Sequence, residues 1–433
     1  MSAVAKMLGS GERMHAMMTE LFPLCRSITG DGVRRTLEVV SDRVPLEIHE
    51  IPSGTNVLDW TVPDEWNIRD AYVADSSGTR VVDFRASNLH VVSYSEPIHR
   101  RVPLDELRPH LHTLPESPGW IPYRTSYYER NWGFCLSQEQ FDALRDPAYD
   151  VRIDSTLEPG SLTYGEHLLP GSRSEEILLV THVCHPSLAN DNLSGIALLT
   201  ELAVELAARP RRLSYRFLFI PATIGSITWL ALNEDRLAHV VGGIVLACVG
   251  DSAPLTYKRS RGGEALIDRA GAHVVGRRDG RVLDFVPWGW DERQFNSPGF
   301  ALPVGCLMRS TEGGYAEYHS SADDLSLVGP EQLEDSLAAA LEILDVVELC
   351  TTYVNLFPKG EPQLGRRGLY RAVGGPDPGE QQLATLWVLN QSDGSASLLD
   401  IAERSGLSVA SLAHAAQRLL EAGLVTTARD AGR

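Results

Sequence analysis

The sequence predicts an α/β fold, a three-layer architecture built around a mostly parallel sheet, with a β-rich inserted domain and a C-terminal winged helix. Three observations carry this. From Tyr149 to Cys350, apolar runs of strand length alternate with helical patterns, the arrangement of a sheet covered by helices on both faces. Residues 57–120 have a different texture, rich in Trp, Tyr, Pro and His and broken into short strand-like stretches. Residues 398–425 run helix, glycine turn, helix, glycine stop, strand, the order of a winged helix.

Taken in order, Met14 to Val44 has helical periodicity interrupted at Ser27-Ile-Thr-Gly-Asp-Gly32, where turn residues separate two helices. Pro45 stops the second. Leu46 to Ile51 alternates as an edge strand does. The β-rich stretch holds strands at Asp70–Val73, Val81–Phe84 and Leu89–Tyr94, the first two joined by a Ser76-Ser-Gly-Thr79 turn. It reads as a small domain inserted into the α/β one. Ile121 to Leu136 is unusually aromatic and reads as a packed connection between domains, with the wall of a substrate pocket as the alternative. The α/β pattern then begins at Tyr149. Its central strand, Ile177 to Val180, is a continuous apolar run of the kind buried on both faces of a parallel sheet. The boundaries that follow are 1–56 with 121–355 for the α/β domain, 57–120 for the insertion, 356–378 for a Gly- and Pro-rich linker, and 379–433 for the winged helix.

Bulk properties narrow the function. The chain has 433 residues and a formal charge of −18, which disfavours non-specific binding to nucleic acid or anionic membrane. The six cysteines are scattered and read as reduced thiols rather than a disulfide framework. No apolar run reaches membrane-spanning length and the first residues lack a signal peptide's apolar core, so a cytoplasmic protein is expected. The second helix of the winged unit offers only His414 and Arg418 as contacts of the right sign for DNA. No nucleic acid is therefore expected as a partner; packing or assembly, including a homo-oligomer, suits this unit better.

Residues able to do chemistry gather at strand ends, where open α/β sheets place their ligands. His182, Cys184 and His185 end the strand at Val180, and Asp191 follows just before the helix opening at Ser194-Gly195. Asp251 follows a second buried strand, and Glu317-Tyr-His319 precedes the last helix. Singly, a loop acid is a helix cap and a lone His is structural. Together, each after its own strand, they form a His and Asp set that suits zinc with a position left open. The charged run Asp291-Glu-Arg-Gln-Phe295 lies before the strand that leads to His319.

These motifs resemble the zinc-dependent aminopeptidases of the phosphorylase/hydrolase-like fold. Thr181-His182-Val-Cys184 and Ala189-Asn-Asp191-Asn-Leu-Ser194-Gly195 match their His-x-Asp and bridging-Asp segments, with Cys184 where that family has a supporting Asp. Asp251 falls at the later Asp ligand, and Tyr318-His319 with Asp323 matches the closing Tyr-His … Asp segment. More closely, the whole chain resembles a bacterial family of aminopeptidase-like proteins with an inserted small β domain and a C-terminal winged helix. Thr61-Val-Pro-Asp-Glu-Trp66, Ser87-Asn-Leu-His90, Ile121-Pro-Tyr123, Thr125-Ser-Tyr-Tyr128, Trp132-Gly-Phe-Cys135, Cys184-His-Pro-Ser187 and Asp191-Asn-Leu-Ser-Gly195 carry that likeness.

The resemblance implies a zinc-exopeptidase-like sheet and a zinc-dependent, aminopeptidase-like hydrolase acting on an amide or short-peptide-like small molecule. One departure bears on this. The aminopeptidases carry a Glu-Glu pair, general base and metal ligand, where this chain has Pro221-Ala222-Thr223. With both acids gone, one zinc per chain is expected, held by His182, Asp191 and His319 with Asp251 next in line. Glu292 is the first candidate for the missing base, with Glu166 and His185 behind it. Tyr257, Lys258, Arg259 and Arg261, with Arg293, are candidates to hold an acidic group of the substrate, against a solvated basic turn. Loss of the base also admits a repurposed scaffold, either a metal-assisted acyl-transfer or condensation enzyme or a catalytically silent binding protein.

Overall fold

The structure, a computed structural model, describes residues 8–369 and 379–428; residues 370–378 of the expected linker lie outside the described residues. The chain divides into two compact units, one made of residues 8–268 and 275–340, the other of 269–274 with the described residues from 341 onward.

The first unit is organised on an eight-stranded sheet in the order Glu47–Pro52, Ser161–Leu169, Ser214–Ile220, Glu176–His182, Val240–Leu246, Val304–Met308, Thr256–Lys258, Arg281–Leu283. The four strands from Ser214–Ile220 to Val304–Met308 pair in parallel. Antiparallel pairings flank this centre, through Ser161–Leu169 on one side and Thr256–Lys258 on the other. Every residue of Glu176–His182 and of Ser214–Ile220 is buried, as expected of strands covered on both faces. The helix Gly195–Ala207 follows the central strand and is itself almost wholly buried.

A second sheet, four-stranded and antiparallel, has the order Arg80–Asp83, Glu65–Ala74, Ala148–Glu158, Ile98–Pro103. This corrects the sequence reading, in which the strand from Tyr149 opened the α/β pattern. The reason is legible in its burial. Tyr149, Val151, Ile153 and Ser155 are buried while Asp150 is exposed and Arg152 and Asp154 are only partly covered, the alternation of a sheet with one wet face. The chain, which first joins the large sheet at Glu47–Pro52, returns to it only after Pro159-Gly160, at Ser161.

Across the large sheet, Arg216 lies between two acids on its neighbouring strands. Its Nε and Nη2 donate to Glu176 at 2.7 and 2.8 Å, its Nη1 pairs with Glu166, and Trp229 Nε1 donates to Glu166 at 3.0 Å. Removing the guanidinium leaves two buried carboxylates uncompensated. Arg216→Ala will lower the unfolding free energy by about 3–5 kcal/mol, read in urea. Adding Glu166→Gln and Glu176→Gln will recover part of that loss.

In the second unit, helices Glu380–Gln391, Leu398–Ser405 and Val409–Glu421 pack with a sheet in the order Asp393–Ser397, Thr352–Asn355, Val425–Thr427. Ser397 and Asp400 form a capping box, and Gly406 ends that helix at φ 73°. Thr352–Asn355, read from sequence as the end of the α/β domain, is the central strand here. No helix among the described residues is long and apolar enough to cross a membrane.

Candidate metal centre

His182 stands at the carboxyl end of the central strand, and Asp191 sits in the helical turn Ala189–Ser194 that follows. Both are fully buried. His182 Nε2 lies 2.9 Å from Asp191 Oδ1 and His319 Nε2 lies 3.0 Å from Oδ2. His185 Nε2 is 3.9 Å from the same Oδ2, and the ligand atoms of His182, His185 and Asp191 fall within 4.8 Å of one another. Three imidazoles thus converge on one buried carboxylate.

Groups from several distant parts of the chain aim these side chains. Asp323 clamps the Asp191 turn from across the fold, accepting the Asn190 and Asp191 amides at 2.6 and 3.0 Å and the Tyr315 hydroxyl at 2.9 Å. Asn192 Nδ2 lies 3.2 Å from His182 Nδ1 and fixes that ring. Tyr318 stacks on His319 at 4.0 Å, and the Tyr123 amide donates to the His319 carbonyl at 2.7 Å. Arg26, 1 % exposed, donates to the carbonyls of His185 (2.7 Å), Pro186 (2.8 Å) and Leu21 (2.7 Å).

The electrostatics follow from burial. Desolvation pushes the His185 imidazole down to about 3, so at neutral pH it is the uncharged form that ligates metals. Burial alone pushes the Asp191 carboxyl up, but His185, His182 and His319 outweigh it and hold it well below the ordinary range. Asp323 is pushed up to about 7, chiefly by burial. A buried carboxylate among imidazoles is a donor set that fits zinc or a similar divalent ion.

A cavity of about 370 Å³ adjoins the cluster, lined by His185 and His319 together with Ala222, Thr223, Tyr127 and Trp290 among others. Segment 121–136, expected first as a packed connection, supplies Tyr123, Thr125, Tyr127 and Tyr128 to its wall. From the hairpin Asn56–Val57/Trp60–Thr61 comes Trp60, whose ring meets Tyr128 at 5.3 Å.

The remaining expected site residues fall elsewhere. Asp251 does not reach the cluster, because Asn190 Nδ2 and the Ala253 amide occupy its two oxygens at 2.7 Å each. Glu292 is buried against Lys258, with which it pairs, and does not line the cavity. Lys258 also donates to the Trp288 carbonyl at 2.7 Å. Tyr257 is buried with its hydroxyl on Ile267 O, Arg259 lies 3.6 Å from Asp284, and Arg261 is exposed. Of the five candidates for an acidic group, Arg293 alone lines the cavity. Glu166 is held by Arg216 and Trp229 as described above.

Sequence reasoning passed over Asp291. It is buried, accepts from Ser226 Oγ at 2.7 Å, and leaves Oδ2 with no partner among the described residues. Desolvation pushes its carboxyl up to about 6, against the pull of the nearby His182. Ser226 lies in the first turn of the helix Ile224–Leu232, just after Ala222 and Thr223. A carboxylate from another segment therefore docks at the helix start where the two acids are missing. Its only sequence signal is its place in the charged run 291–295.

Residues 15–349 match the family described as a domain of unknown function, DUF4910, and residues 351–427 match a winged helix-turn-helix family. A Clostridium acetobutylicum protein is 52 % identical over 419 residues, 96 % of each chain. Its name assigns it, provisionally, to polysaccharide biosynthesis and gives it an aminopeptidase-like domain. A crystal structure from the same organism, described provisionally as a peptidase, is 51 % identical with a TM-score of 0.92 over 96 % of each chain. The zinc aminopeptidase of Bacillus subtilis is similar in fold at 12 % identity, with a TM-score of 0.56 over 77 % of this chain and 94 % of that one. The expected architecture is thereby established: the chain belongs to the DUF4910 family, an aminopeptidase-like α/β scaffold, and carries a C-terminal winged helix.

Proposed function

We propose that this protein is a zinc-dependent hydrolase of an amide bond in a small molecule, with one metal per chain held by His182, Asp191 and His319 and with His185 completing the set. The observation that carries this is the convergence of three imidazoles on the buried Asp191 carboxylate at the edge of a small-molecule-sized cavity. Zinc in such a site supplies Lewis acidity towards a carbonyl oxygen. Asp291, which like Glu292 stands behind the cavity lining but docks on Ser226 at the helix start next to Ala222 and Thr223, takes the proton of the attacking water at its unpartnered Oδ2, in place of the acid absent at Ala222. The aromatic wall of Trp60, Tyr127 and Tyr128 offers the substrate an apolar face. The relative's link to polysaccharide biosynthesis puts N-acylated amino sugars on the substrate panel beside aminoacyl amides. The winged unit serves packing or assembly, in keeping with the few cations on its second helix.

Elemental analysis of the purified protein, with the amide panel run before and after chelation, tests this. About one zinc per chain is expected, with turnover that chelation removes and zinc restores. Absence of a stoichiometric transition metal ends the metalloenzyme reading. Ala222 favours a second reading, acyl transfer without hydrolysis. Product that forms only when an amine acceptor is present would select it.

A further inference from the structure

Arg293 differs from the other buried or half-buried arginines near the site. Arg26 and Arg216 have their donors satisfied, whereas Arg293 makes no hydrogen bond or ion pair among the described residues and its Nε is shut off from solvent. It lines the cavity beside the histidines. Two neighbours in the same lining share the condition. Trp290 Nε1 and Glu312 Oε2 are likewise buried without partners. A desolvated donor or acceptor left unpaired is costly, and native proteins rarely keep several around one cavity. The group has a sense: two N–H donors, one of them cationic, and one acceptor.

We propose that the substrate of this pocket carries a carboxylate near its scissile amide, bound by Arg293 with Trp290 Nε1 alongside, and an N–H or O–H that Glu312 accepts. The assignment rests on the pocket being the site of amide chemistry. A guanidinium presents two parallel N–H bonds that match both oxygens of a carboxylate. Arg293 feels the negative charge of Asp291 and Glu312, so the site has one cation among acids and suits a singly charged carboxylate rather than a doubly charged phosphate. The cavity, about 370 Å³, has room for an acylated amino acid or a single acylated sugar acid. The acid-binding role expected of residues 257–261 thus moves to Arg293.

The test uses matched pairs, each an N-acyl amino acid or N-acyl amino sugar acid and its methyl ester, titrated calorimetrically into the full-length protein as purified. In at least one pair the acid will bind about tenfold to a hundredfold more tightly than the ester, the range of one charged hydrogen-bonded contact. Arg293→Gln will erase that difference and Arg293→Lys will keep part of it. Equal binding of acid and ester, binding of neither, or a preference that survives Arg293→Gln overturns the assignment. The native comparison decides even where a variant fails to fold. Turnover of the same amides is followed in parallel: an acid that is preferred but not cleaved defeats the hydrolase reading and leaves the carboxylate site standing, while cleavage with no preference does the reverse.

Discussion

Asp191→Asn protein will fold and purify but hold no metal, and its turnover will fall to background. All three histidines approach Asp191, at 2.9, 3.0 and 3.9 Å. Removing an outer partner from a metal site costs about 10–100-fold in affinity or activity, and loss of the shared carboxylate will exceed that. Stability will also drop in the metal-free state. A carboxyl held well below its ordinary range contributes stability that is fully present above about pH 3.9 and is lost only as pH falls through its depressed native value. At pH 7 the native protein has that contribution and the amide variant does not. Elemental analysis and thermal unfolding at pH 7 read the two effects. A variant that keeps a full complement of metal would remove Asp191 from the centre.

Asp291→Asn is expected to lower kcat by about 10²–10⁴-fold, the range of general-base assistance, with a smaller effect on metal content. The pH profile gives the sharper reading. A base must be ionised to accept a proton. Because burial raises the Asp291 carboxyl to about 6, native activity will climb as pH rises through about 6 and fade below it. The amide variant will lack that limb. Glu292→Gln, one residue along, will behave differently. It leaves Lys258 buried without its partner, so the protein will lose about 3–5 kcal/mol of stability while the acid limb survives. If the limb disappears with Glu292 and survives without Asp291, the base is Glu292 after all.

The contrast between these two adjacent acids shows what sequence could and could not give. Strand-end logic led to His182, Asp191 and His319, which the structure brings together, because a buried apolar run fixes where its last side chains stand. Around a short turn no such rule holds. Asp291 precedes the four-residue helix Glu292–Phe295, and successive side chains there point in different directions. Which of them meets Ser226 and which meets Lys258 is decided by packing. The same limit explains Asp251, whose place just after a strand matched a ligand's but whose oxygens are taken by a turn amide and by Asn190. His185 was legible as a titratable neighbour of His182, though not as a group 3.9 Å from Asp191. The basic run 257–261 misled because charge in sequence carries no depth: Lys258 is buried in an ion pair and Arg261 is exposed. By contrast, Ala148–Glu158 could have been placed from its alternating charged and apolar residues at 149–154, since that period belongs to a sheet with one wet face.

Arg26 has a consequence beyond holding carbonyls in place. Burial lowers its guanidinium to about 10, so it stays cationic at every pH in which the protein works. That fixed charge lies behind the loop bearing His185 and adds to the desolvation that keeps the imidazole from taking a proton. Hydrogen ions compete with metals for histidine, and most histidine sites shed their metal on mild acidification for that reason. Here one of the three imidazoles is largely withdrawn from the contest. In the proposed metal centre the N-terminal segment that carries Arg26, remote in sequence from His185, thereby helps keep one ligand free for the ion in mild acid.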